Sequence, residues 1–157
     1  MKARRGAPTH DDEGGQIAIL ILGYVLVAIV LVIVTIDVTG VYLARTELRD
    51  AADAAALDAA DAADVDSVYR TGVEQAVPLS DRTVRAAAGS YLAAYPMPSR
   101  VTDVRLGGET GSPDGRTAFV QLTARVRLPL LGPVVQSWAG GITLAVTSSA
   151  RADVDPP

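Results

Sequence analysis

Ile17 to Ile36 reads IAILILGYVLVAIVLVIVTI, twenty residues without a charge, fifteen of them Ile, Leu or Val. At about 1.5 Å per residue, a helix of this length reaches ~30 Å, the thickness of a bilayer's hydrocarbon core. At roughly -0.3 to -0.6 kcal/mol per branched aliphatic residue, insertion is favoured by on the order of 5 to 9 kcal/mol, so lipid wins over water. Eleven of the twenty are Ile or Val, which favour strands in water. An isolated strand in lipid leaves its backbone groups unpaired, so helix is the expected state. The run is too long for a cleaved secretory signal, whose apolar core holds about 7 to 15 residues. The following Asp37-Val38-Thr39-Gly40-Val41-Tyr42-Leu43 contains no A-x-A cleavage pattern, so a retained anchor over residues 16–37 is expected. Lys2, Arg4 and Arg5 precede the span, whereas Arg45 and Arg49 follow it among Glu47 and Asp50. Basic residues favour the cytoplasm, which predicts residues 1–15 as a cytoplasmic tail and everything after the anchor as extracytoplasmic.

The rest of the chain has room for one small domain. Of 157 residues, 49% are hydrophobic but only 4% aromatic, a balance of Ala, Val, Leu and Ile that suits a membrane segment and small-residue packing better than a deep ligand pocket. A net charge of -4 argues against nucleic acid as a partner, which requires a concentrated basic surface. There are no cysteines, hence no disulfides and no thiolate metal sites.

Helical character continues past the membrane. Residues 38–66 contain no Pro, and Ala51–Ala63 reads AADAAALDAADAA, nine of thirteen residues being Ala, the best helix former. At 100° per residue Asp50, Asp53, Asp61 and Asp64 share one face, which is predicted to be solvated. Val41, Leu48, Ala52, Ala55, Ala59 and Ala63 form the opposite stripe, whose small side chains let another element approach closely. Both the chain's own later helix and a neighbouring subunit fit that stripe. Residues 67–98 hold a link with Gly72 and Pro78, then a second helix. Ser80 is its expected N-cap, Val84, Ala88, Tyr91 and Tyr95 its core stripe, and Pro96 and Pro98 its end.

Beyond Ser99 the period becomes two. Thr102, Val104 and Leu106 alternate with Asp103 and Arg105; a Gly-rich connection covers 107–115; Ala118, Val120, Leu122, Ala124, Val126 and Leu128 mark one face of a long strand. After a segment around Trp138, a last strand puts Ile142, Leu144, Val146, Ser148 and Ala150 together. Residues 99–157 therefore predict a three-stranded antiparallel meander, and the chain an α+β fold.

Nothing in the chain assembles a reaction centre. His10 is the only histidine, and the His10-Asp11-Asp12-Glu13 run lacks a second histidine or a scaffold to fix metal geometry. The 107–115 loop lacks the Lys and the strand-loop-helix context of a phosphate cradle. Asp58 and Asp61 lie on a polar helix surface that offers no partner for acid-base work. No enzymatic activity, cofactor or metal is expected. Trp138, flanked by Leu130, Leu131, Val134 and Val135, fits either the small core or an exposed loop interface.

The junction Asp12-Glu13-Gly14-Gly15-Gln16 before a long aliphatic helix, then Asp37, then Arg45-x-x-x-Arg49 leading into Ala-Asp-Ala-Ala-Ala, resembles actinobacterial TadE/TadG-like Flp pilus-assembly proteins over about residues 11–65. The resemblance implies a pilin-like arrangement and a structural or assembly part in a Flp (tight-adherence) pilus or related secretion apparatus. Its implied partners are membrane lipid and other pilus subunits, with homo- or hetero-oligomers formed through the long helix. It also implies prepilin-peptidase cleavage after Gly14 or Gly15, with Leu20 standing at the fifth position after Gly15, where pilins usually carry Glu. The alternative reading is a membrane-tethered extracytoplasmic binding module using the loop around Trp138.

Overall fold

The computed structural model describes residues 11–71, 79–133 and 141–151. Helix α1, Asp11–Thr71, is 61 residues long, about 90 Å at 1.5 Å per residue. The helix passes unbroken through Gly40 and beyond Asp66, and is described as far as Thr71.

Helix α2, Asp81–Ala94, begins at the expected cap. Ser80 Oγ accepts from the Thr83 N–H, and Thr83 Oγ1 accepts from the Ser80 N–H, a reciprocal pair that satisfies two orphan donors. Pro96 then stops the helix just after its C-cap Tyr95. Val84 and Ala88 are fully buried, and Tyr91 stacks near Tyr95 with ring centroids 5.7 Å apart.

Strands β1 (Val101–Leu106), β2 (Thr117–Val126) and β3 (Ile142–Arg151) form one antiparallel sheet in that order. In β2 alternate residues Ala118 to Val126 are buried, the period of two dictated by the pleat. All ten β2 residues pair in regular register with β3. Strict alternation fails in β1. Val101 faces inward opposite Val126, and Leu106 faces inward opposite Leu122, although five positions separate them. A bulge with Asp103 at φ 54° supplies the extra residue, a backbone state Asp tolerates better than most residues. Thr102 consequently pairs with Arg125 on the outer face, rather than joining Val104 and Leu106 as the alternation predicted.

Residues 44–60 of α1 lie against the inner face of the sheet and against α2. Ala44, Leu48, Ala51, Ala52, Ala55, Ala56, Ala59 and Ala60 are all at most 2% exposed. Methyl groups along this face bring the helix axis close enough to pack on two elements at once, which larger side chains would prevent. Polar ties complete the seam. Arg100 pairs with Glu47 at 2.9 Å, and Ser148 Oγ donates to the Asp53 carboxylate.

Candidate functional site

From Gly15 to Val32 the side chains of α1 are all exposed. From Ile17 to Ile36 every large aliphatic side chain except the half-buried Ile33 is exposed, and the most apolar window of the helix is 0% buried. An apolar surface of this extent is incompatible with water. The hydroxyl of Thr35 donates to the Leu31 carbonyl at 2.8 Å, so the one hydroxyl-bearing aliphatic of the stretch carries its hydrogen bond within the helix, as lipid requires. By length and composition this is a single membrane-crossing helix, and the chain is membrane-anchored.

Where the span ends, the folded domain is fastened to it. Asp37 is the first charged residue after the aliphatic run, yet it is only 3% exposed. Its two carboxylate oxygens accept from the backbone N–H groups of Leu130 and Leu131, at 3.0 and 2.9 Å. These bonds hold the turn after β2 against the helix across more than ninety positions of sequence. One turn further along, Gly40 faces the Pro129 ring, with 3.5 Å between the nearest ring carbon and the site a Cβ would occupy. A residue that weakens a free helix thus sits where a partner's ring closes on the backbone.

Beside this clasp runs an apolar groove of about 400 Å³. One wall is α1 from Val34 to Arg45; the other is Leu128 and Leu131 with Ile142 and Leu144 at the start of β3. Val34 belongs to the membrane segment, so the groove opens directly onto the lipid-facing surface.

The predicted stripe has a definite occupant. Leu48, Ala52, Ala55 and Ala59 lie in the chain's own core, and Val41 packs at its edge; the side-chain environment of Ala63 falls outside the described residues. Ala44, Ala51, Ala56 and Ala60 share the burial, which makes the packed face wider than the stripe read from sequence. Gly15 is on α1 with open space around it, and Gly14 lies in the same helix. Trp138 and His10 lie outside the described residues.

The Gly-rich loop between β1 and β2 is clasped to the start of α2. The Ser112 N–H donates to Asp81 at 2.7 Å, the Arg85 guanidinium donates to the Gly108 carbonyl at 2.6 Å, and buried Thr110 exchanges hydrogen bonds with the Gln121 backbone. At its far end Asp114 accepts from the Thr117 hydroxyl and from the N–H groups of Arg116 and Thr117. The Thr117 hydroxyl above all, with those amides, holds the Asp114 carboxyl far below its ordinary pKa. The loop is a structural clasp held by these polar contacts, although the buried Ser112 hydroxyl has no hydrogen-bond partner among the described residues. Among the described residues no three His, Cys, Asp or Glu side chains gather closely enough to hold a metal ion.

Residues 15–62 match the Tad family. Its description is Flp pilus-assembly TadE/G-like, and the matched Tad segment covers the span, the clasp residues Asp37 and Gly40, and nearly all of the buried Ala face. The match ends before α2, so the sheet lies outside it. Searches of curated proteins and of solved structures return no match. The Tad match supports a role related to Flp pilus assembly.

Proposed function

We propose that this protein is a structural or assembly component of a Flp (tight-adherence) pilus or related secretion apparatus. In this reading one helix anchors it, the tail before residue 16 is cytoplasmic, and the α+β domain stands on the extracytoplasmic side beside other pilus subunits. The observation that carries the proposal is the coincidence of the Tad match with the one helix that is lipid-facing along its first part and domain-packed along its second. Lys2, Arg4 and Arg5 support the orientation. The role is non-catalytic.

Because the chain's own domain covers Leu48, Ala52, Ala55 and Ala59, we place oligomeric contacts on the remaining exposed surface of the long helix. Detergent extraction of native membranes followed by affinity isolation tests the proposal. Co-isolation with other pilus-assembly subunits is expected; recovery as a lone monomer under conditions that keep those subunits together would refute it. N-terminal sequencing of the isolated protein tests cleavage after Gly14 or Gly15, and an intact Met1 end would remove the processing step from the scheme.

A further inference from the structure

We propose that the groove beside the Asp37 clasp binds a membrane phospholipid, its acyl chain against the apolar walls and its phosphate on Arg45. The inference rests on the membrane span and is independent of the pilus role.

Three observations converge on this occupant. The first is continuity: Val34, at the deep end, lies within the aliphatic run that faces the hydrocarbon core, and Val38 and Val41 extend the same wall upward. Val34 to Arg45 is eleven steps of helix, about 16 Å, which starts in the hydrocarbon and crosses the headgroup layer of one leaflet. The second is lining: the opposite wall is Leu128, Leu131, Ile142 and Leu144, and Ile142 and the adjacent Leu130 remain 38% and 45% exposed. A volume of about 400 Å³ is within the size range of small-ligand sites, which are mainly apolar with few polar groups. Water gains nothing in such a trough.

The third is charge. Arg45 lies at the outer mouth, and helical side chains lean toward the helix N-terminus, which here is toward the membrane. Its long apolar stem can follow the groove wall while the guanidinium meets phosphate at headgroup depth. Exposed Tyr42, on the same wall, is of the amphipathic type enriched at that depth. Asp37, the one acidic group lining the groove, is turned away from such a ligand, because both its oxygens are engaged by the Leu130 and Leu131 amides.

The test uses the full chain reconstituted in vesicles of phosphatidylcholine and phosphatidylglycerol, three to one. A photo-crosslinking amino acid is introduced at Ile142, and in separate samples at Val27 within the span and at Arg116 in the distal loop. Irradiation and intact-mass measurement are expected to give a single-phospholipid adduct at 142 and none at 116. Arg45→Gln, a change of an exposed side chain, is expected to reduce the adduct at 142 severalfold and leave that at 27 unchanged. A crosslinked dimer at 142, no adduct there, or an adduct indifferent to Arg45→Gln would overturn the lipid assignment. Absence of an adduct at 27 as well would instead indict the membrane span itself.

Discussion

Replacing Asp37 with Ala should release the turn after β2 from the long helix without unfolding the helix. Two hydrogen bonds to a charged acceptor contribute about 1.5–3 kcal/mol each, so roughly 6 is the ceiling for the pair. Leu130 is 45% exposed, and water can take up part of what its amide loses. With that water uptake, the expected cost is about 2–4 kcal/mol, below the ceiling. Asp37→Asn keeps one acceptor oxygen and should lose about half as much. Hydrogen exchange of the full-length protein in nanodiscs reads the effect residue by residue. At about 1.4 kcal/mol per tenfold, the Leu130 and Leu131 amides should lose protection by roughly 30- to 1000-fold in the Ala variant, with Asn intermediate. Amides on the buried face of α1 should change far less. If protection at Leu130 and Leu131 changes by less than about threefold, the clasp does not hold the turn, and the reasoning from burial and geometry fails.

Other consequences are open to simple measurement. Ala55 is fully buried between α1 and its neighbours, so Ala55→Leu should overpack the seam and cost about 1–3 kcal/mol in denaturant unfolding of the detergent-solubilised protein; an unchanged midpoint would mean the face is not packed. A Cβ at Gly40 would meet the Pro129 ring at 3.5 Å, ordinary contact, so Gly40→Ala should be neutral or stabilising by up to about 1 kcal/mol through helix propensity, and clear destabilisation in thermal melts would contradict the geometry. Hydrogen bonding depresses the Asp114 pKa below its ordinary 3.8, so its contribution to stability is present above that pH and lost as pH falls toward the folded-state value. Urea midpoints measured from pH 5 downward should thus fall more in the wild type than in Asp114→Asn, and identical slopes would remove Asp114 from the account.

Much of this architecture was legible because local rules and global packing agree. The period-two runs read as far as Leu128 and Ala150 are strands, the first ending at Val126, with Ala118 to Val126 and Val146 buried while Ile142 stays exposed, and Ser80 caps the helix that Pro96 ends. The bulge at Asp103 was not legible: a single left-handed residue inverts the facing of a strand without changing its composition. Nor does Ser67 end the long helix, which continues to Thr71; Ser weakens a helix interior only slightly.

The site itself was the least readable part. Asp37 invited attention as the first charge after twenty apolar residues, and a buried carboxylate must find donors. Its donors are the amides of Leu130 and Leu131, backbone groups that carry no residue-type signature. The groove likewise joins residues from one helix and two strands' ends, which only tertiary contact brings together. The Ala stripe was visible as a packing surface, but what covers it depends on how the sheet folds back.

Membrane crossing by residues 17–36 is the claim on which the rest depends. The absence of native cysteine makes single-cysteine accessibility the most direct measurement, applied to the full chain in sealed vesicles with a membrane-impermeant maleimide. Cysteine at Val27 should stay unlabelled until detergent is added, and cysteine at Arg116 should label from one side only. Rapid labelling at Val27 in intact vesicles, or release of the protein from membranes by a carbonate wash, would contradict the account.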